Sequence, residues 1–192
     1  MKSVVVYCGS KSGIHPSYVD TARSLGKLLA ERGMTLVYGG GKIGLMGVVS
    51  DSVMTAGGTV IGVITKQLNA IEVGSTSITE LIVVETMHDR KRLMCERAEG
   101  AIILPGAYGT LDELFEFVTW TQLHIHNKPC GILNVNGFYD HLIAHMNSLV
   151  REGFLNQRHR DLISVSTDVG QLLELMSAWR AAHPVPEQYK LV

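Results

Sequence analysis

The chain has 192 residues, 46% of them hydrophobic, and a formal net charge of -1 at pH 7. That is enough apolar material for one domain with a full core, and Lys and Arg scattered from Lys2 to Lys190 exclude the clustered basic face that an electrostatic grip on nucleic acid needs. Cys8, Cys95 and Cys130 lie far apart without C-x-x-C spacing and read as reduced thiols, and no apolar run is long enough to span a bilayer, so the expectation is a soluble, cytoplasmic protein that engages neither membrane nor nucleic acid.

Taken in order, the first strand runs from Val4 to Cys8, with no basic leader before it, and ends in Gly9-Ser10. A helix over Tyr18 to Arg32 places Ala22, Leu25 and Leu29 on one stripe and stops at Gly33. The second strand, Leu36 to Tyr38, opens into Gly39-Gly40-Gly41 and a helix over Leu45 to Ala56; the third is Thr59 to Ile64. The fourth, Ile82 to Val84, leads into Glu85-Thr86-Met87-His88-Asp89-Arg90-Lys91 and a helix from Met87 to Ala98. The fifth, Ala101 to Leu104, is followed by the small-residue turn Pro105 to Thr110 and a helix over Leu111 to Leu123 carrying Leu114, Phe117, Val118 and Thr121. Strands at Cys130 to Asn134 and Ile163 to Val165, with helices at Phe138 to Arg151 and Val169 to Ala182, complete the pattern. Strands without strict alternation are covered on both faces, and their alternation with helices predicts an α/β fold. The expected architecture is an open parallel sheet of about seven strands with helices on both faces. One nucleotide-binding catalytic domain would span residues 1–182, and His183-Pro184-Val185-Pro186 would begin an extended tail over 183–192.

In such a sheet, ligands bind where the strand-to-helix loops gather. The turn from Pro105 to Thr110 has the composition of a phosphate seat: glycines let the backbone approach an anion, and the first N–H groups of the following helix have no partner within it. If consecutive strands are neighbours, Arg90 and Glu113 emerge one strand apart on the same rim. Arg90 and Lys91 at a helix N-terminus, a poor place for cations, suggest that an anionic ligand compensates them.

Other readings compete. Gly39-x-Gly41-x-x-Gly44 matches the dinucleotide fingerprint in form, but it follows the second strand, and the third ends at Ile64-Thr65-Lys66 without a ribose-binding acid. The same glycines also suit close helix–strand packing. No Walker loop and no G-x-S-x-G elbow is present. His141 and His145 lack a third metal ligand, and His124-x-His126 reads as a contact at a helix C-terminus or an oligomer surface. Met87 suits helix packing or the face of a flat base. Thr110-Leu111-Asp112-Glu113 fits a capping box, which would give Glu113 a purely structural task.

Pro105 to Glu113 resembles the P-G-G-x-G-T-x-x-E signature of the Lonely Guy family of cytokinin-activating phosphoribohydrolases. Met87-His88-Asp89-Arg90-Lys91 is similar to that family's M-H-x-R-K segment, and Val37 to Gly41 with Gly44-Leu45-Met46-Gly47 resembles its second glycine loop. The similarity runs in the same order from Tyr7-Cys8-Gly9-Ser10 to Val135-Asn136-Gly137-Phe138-Tyr139. The resemblance implies a Rossmann-like domain, usually homodimeric, that hydrolyses the N-glycosidic bond of adenosine 5'-monophosphates, often N6-substituted, to free base and ribose 5-phosphate. It implies no cofactor, and none of the pyridoxal phosphate suggested by the "possible lysine decarboxylase" label of many relatives. Arg90 and Glu113 would be catalytic. Gly106, Gly109 and Thr110, with Ala107 and Tyr108 in the same loop, would hold the 5'-phosphate; Ser10, Gly40 and Gly41 would line the nucleotide, with Glu85, Met87 and Lys91 as further contacts. The helix bearing Phe117, Trp120 and Leu123 would contribute to the dimer. One departure is Ala107, where the family has glycine: a positive φ there would cost roughly 1–2 kcal/mol. It keeps open an alternative, a nucleotide-binding or carrier protein of the same fold with little turnover.

Overall fold

The computed structural model describes residues 1–72 and 77–183; the expected extended tail lies, from Pro184 on, outside the described residues. The strands are β1 (Ser3–Tyr7), β2 (Thr35–Tyr38), β3 (Val60–Thr65), β4 (Glu80–Val84), β5 (Ala101–Ile103), β6 (Cys130–Leu133) and β7 (Ile163–Ser166). All pair in parallel in one sheet, in the order β4-β3-β2-β1-β5-β6-β7. The helices are α1 (Pro16–Glu31), α2 (Gly44–Thr55), α3 (Lys66–Glu72), α4 (Met87–Glu96), α5 (Tyr108–Gln122), α6 (Asp140–Arg151), α7 (Gln157–Arg160) and α8 (Val169–Ala182). The short polar α3 and α7 carry too few residues to show a hydrophobic period, and the sequence reading missed them.

The continuous apolar strands are sandwiched as their composition requires. On one face, Leu25 and Leu29 of α1, Leu45 and Val49 of α2 and Leu172 and Met176 of α8 pack on Val4, Val6 and Leu36. On the other, Met94 and Cys95 of α4, Leu114 and Phe117 of α5 and Met146 of α6 pack on Val5, Tyr7, Val37 and Ile103. Burial of such side chains contributes about 1.5–3 kcal/mol each, so the sheet is the rigid base on which the loops stand.

One expectation about strand order fails. The strands β4 and β5 are not neighbours; β3, β2 and β1 lie between them. The chain climbs from β1 to the edge at β4, then returns over one face on α4 and re-enters the sheet beside β1. Its arrival is marked by the Glu99 N–H donating to Ser3 O at 3.1 Å. The reversal makes β1/β5 the switch point of the sheet, where loops diverge and leave a crevice. Arg90 therefore comes close to Glu113 because α4 crosses the strands, not because two adjacent strands deliver them.

Candidate active site

Three loops meet at the switch point. The Gly9 N–H donates to Pro105 O at 3.0 Å, joining the loops after β1 and β5, and the Leu45 N–H at the start of α2 donates to Gly9 O at 3.1 Å. Ser10 is exposed there, its backbone against Gly44. Gly106 lies so close to the Thr110 hydroxyl and the Gly9 backbone that a side chain on it would overlap both. The loop is also held from below. Tyr139 Oη donates to Leu104 O at 2.8 Å, and the buried Asn134 accepts from the Tyr139 N–H at 2.8 Å while donating to Asp140 Oδ1 at 2.6 Å. This support gives a physical task to Tyr139, at the end of the Val135–Tyr139 segment that resembles the family, and to Asn134 just before that segment.

Helix α5 begins earlier than expected. Ala107 is its N-cap and makes no side-chain cap, and Tyr108, Gly109 and Thr110 form the first turn, so their N–H groups are the ones without helical acceptors. Ala107, Tyr108 and Gly109 are exposed at this end, while Thr110 is buried and braces Gly106 from within. The start at Tyr108 removes the capping box: Glu113 is the sixth residue of the helix and cannot reach back to its cap. It also settles Ala107, whose φ of -102° is one that alanine adopts without strain.

Glu113 and Arg90 form a buried pair. Arg90 Nη1 lies 3.4 Å from Glu113 Oε1, with 8% of the Arg90 side chain and 12% of the Glu113 side chain exposed. Two carbonyls, one within β3 and one just after β2, aim the guanidinium: Nε donates to Val63 O at 2.9 Å and Nη2 to Gly39 O at 3.1 Å. A Cβ on Gly39 would land on Arg90 Nη2, so the first glycine of the Gly39–Gly41 run is there for the arginine. Five N–H groups on a planar fork leave hydrogens on Nη1 and Nη2 for a ligand. Burial pushes the Glu113 carboxyl up to about 7, against the pull of Arg90; Asp112 also raises it, Lys91 lowers it, and Glu116 raises it. A carboxylate poised near neutrality beside an oriented cation is the usual condition of a catalytic acid–base group.

Other expected positions divide. Gly40, with φ of 77°, and Gly41 are buried at the end of β2, Gly40 against Ile64. Met87 opens α4 and is exposed on the rim. Glu85 is also exposed, and it pairs with Lys66 rather than with Arg90. Lys91 turns to α5, 3.0 Å from Asp112 Oδ2 and 2.5 Å from Glu116 Oε2. The cations at the start of α4 are thus already compensated by carboxylates and carbonyls of the chain itself. His126, expected at a helix end or an oligomer surface, packs its ring 4.5 Å from that of Phe117, and burial first, then Lys128, pushes it down to about 4. Neutral at physiological pH, it supplies no charge to the end of α5. Among the described residues no group of three or more His, Cys, Asp or Glu is placed to hold a metal ion. No helix among them is long and apolar enough to cross a membrane.

Comparison with known proteins bears on this geometry. A family model described as "Possible lysine decarboxylase" matches residues 46–176. The chain is 45% identical over 182 residues to a cytokinin riboside 5'-monophosphate phosphoribohydrolase of Arabidopsis thaliana, covering 95% of this chain and 85% of that protein. It is 51% identical over 162 residues to another of Oryza sativa subsp. japonica, covering 84% and 67% respectively. The chain belongs to the Lonely Guy family. In this Lonely Guy protein the lysine beside the pair, Lys91, has its pKa lowered by burial but raised more by its contacts with Glu116 and Asp112. Among solved structures, the molybdenum cofactor binding protein of Rippkaea orientalis has a TM-score of 0.70 at 21% identity, covering 93% of this chain and 97% of its own. The molybdenum cofactor carrier protein of Chlamydomonas reinhardtii has a TM-score of 0.70 at 20% identity, covering 93% and 98%. These two share the fold of the Lonely Guy chain.

Proposed function

We propose that residues 1–182 form one catalytic domain that hydrolyses the N-glycosidic bond of adenosine 5'-monophosphates, plain or N6-substituted, releasing the base and ribose 5-phosphate. The observation that carries this reading is the buried Arg90–Glu113 pair beside an uncapped helix start. The 5'-phosphate takes the free N–H groups at Tyr108, Gly109 and Thr110, where the helix dipole adds about half a positive charge. Phosphate binding places the ribose over Glu113. As the C1'–N9 bond breaks, its electron pair leaves with the base, and positive charge gathers on C1' and the ring oxygen. A fixed carboxylate stabilises that charge in the transition state more than in the ground state. Water then bonds to C1' and gives up a proton, which Glu113 accepts and delivers to the departing base, so that the base leaves neutral and Glu113 returns to its ionised form. The remaining Arg90 N–H groups steady the departing base.

The phosphate seat predicts a sharp substrate requirement. Free base should be released from AMP and from N6-isopentenyl-AMP, with or without EDTA, whereas adenosine should react at least about a hundredfold more slowly at equal concentration, because it lacks the group that positions the ribose. Chromatography of the released base checks this; adenosine cleaved as fast as AMP would contradict it.

We further propose a homodimer whose contact includes α5. Phe115 at 41%, Leu123 at 61% and Ile125 at 62% exposure are large apolar groups on or just after this helix. Phe117 of the same helix is 2% exposed and serves its core-facing side. Light scattering at assay concentration should give twice the 21.0 kDa chain mass; an active monomer would refute the dimer.

A further inference from the structure

Lys91 follows Arg90 on α4, yet the two side chains serve different places. Arg90 lies over the strand ends, whereas Lys91, with 14% of its side chain exposed, is bound between Asp112 and Glu116. Asp112 precedes Glu113 and Glu116 lies nearly one turn beyond it, so three carboxylates crowd one turn of α5. Behind Glu113 is a cavity of about 10 Å³, lined by Tyr7, Lys91, Cys95, Glu113, Glu116 and Trp120 together with Phe117. It has room for one water molecule at most, and none of its walls comes from the glycine loops. Lys91 therefore approaches Glu113 from inside the protein.

We propose that Lys91 is a positioning residue that acts through Glu113: it straps α5 to α4, neutralises Asp112 and Glu116, and so holds the carboxylate in its working charge state without touching substrate. The proposal rests on the hydrolytic reading of the Arg90–Glu113 pair. The groups facing Glu113 are Arg90, Lys91 and Cys95 from α4, Asp112 and Glu116 from α5, and Tyr7 at the end of β1 with Cys8 just after it. Burial keeps the Tyr7 hydroxyl and the Cys8 and Cys95 thiols neutral. The charge balance is thus set by two cations and two carboxylates around a third. Removing Lys91 leaves the two carboxylates unopposed, and both then resist ionisation of Glu113.

The test compares Lys91→Met, Lys91→Arg, Glu116→Gln and the double variant Lys91→Met/Glu116→Gln with the parent. Two quantities are read from pH 5.5 to 9.5: kcat and KM for AMP, and the titration of Glu113 by NMR of carboxyl-labelled glutamate. In Lys91→Met the ascending limb of kcat/KM should move up by about one pH unit or more, with about a tenfold loss at pH 7 that recovers at high pH and an unchanged preference for AMP over adenosine. Lys91→Arg should restore the parental limb, the double variant should bring it back towards parental, and Glu116→Gln alone should move it down. An unshifted limb with a raised KM and a lost preference for the 5'-phosphate would make Lys91 a substrate ligand and overturn the proposal. If Lys91→Met fails to fold, the direction of the Glu116→Gln shift decides. A Glu113 titration that ignores these variants refutes the charge coupling itself, whereas a titration that moves while no protein releases base refutes the hydrolytic reading instead.

Discussion

Glu113→Gln is expected to lower kcat for AMP hydrolysis by at least about a hundredfold while leaving the protein folded and gaining heat stability relative to the parent as pH rises. The amide keeps the size of the side chain and an acceptor for Arg90, but it supplies neither an anion for the ribosyl cation nor a base for water. The stability half of the prediction follows from burial. The folded-state carboxyl is pushed up to about 7 from an ordinary value of 4.5, so the folded protein holds this proton more tightly than the unfolded chain. Its contribution to stability is complete below about pH 4.5 and is lost as pH rises to about 7, an amount on the order of 3 kcal/mol. Gln carries no such dependence. The melting temperature of the variant relative to the parent should climb by several degrees between pH 5 and pH 8. In the parent, kcat/KM should rise with pH through about 7, since the ionised form is the working one. A Glu113→Gln protein that turns over AMP at the parental rate would reduce the residue to a buried polar group.

Arg90→Ala is expected to damage both activity and fold. It removes the cation from Glu113 and the donors from the Val63 and Gly39 carbonyls in a single step. Breaking a buried pair by deleting one partner costs about 3–5 kcal/mol, towards the lower end here because Glu113 can escape by taking a proton. That escape is itself inactivating, as the neutral acid cannot stabilise a cation. The loss in kcat/KM should exceed that of any loop variant, at about a thousandfold or more, with the urea midpoint lowered. Arg90→Lys should recover part of the stability and little of the rate, because an ammonium cannot bridge two carbonyls and a carboxylate with one planar fork. Parental kinetics in a folded Arg90→Ala protein would remove the arginine from the mechanism.

The strands were legible because they are buried on both faces and read as unbroken apolar runs, and the long helices because Leu25 and Leu29, or Leu114 and Phe117, recur at helical spacing. Strand order was not legible. Nothing local distinguishes a return over three strands from a step to the next one, so the meeting of Arg90 and Glu113 was inferred from a neighbour relation that does not exist. The start of α5 was misplaced for a related reason. Thr110 has the chemistry of a cap, but the backbone turns into the helix at Ala107, three residues earlier, and the threonine is used to brace Gly106. The direction of Lys91 depends on which face of α4 meets α5, a tertiary fact, although Asp112 and Glu116 on the same helix were a signal that a cation would be needed there. The Gly39–Gly41 run reads equally as a ligand loop or as close packing, and nothing local shows that a side chain on Gly39 would collide with Arg90.

The most direct test of the central claim is a mass balance in ¹⁸O-labelled water: AMP incubated with the parent protein at pH 8, with adenine, ribose 5-phosphate and remaining AMP quantified over many turnovers. Adenine and ribose 5-phosphate should appear in equal amounts as AMP disappears, with label at C1 of the sugar and none in the phosphate. AMP recovered intact and bound to the protein would identify a nucleotide carrier and contradict the assignment of Glu113 and Arg90 to glycosidic hydrolysis.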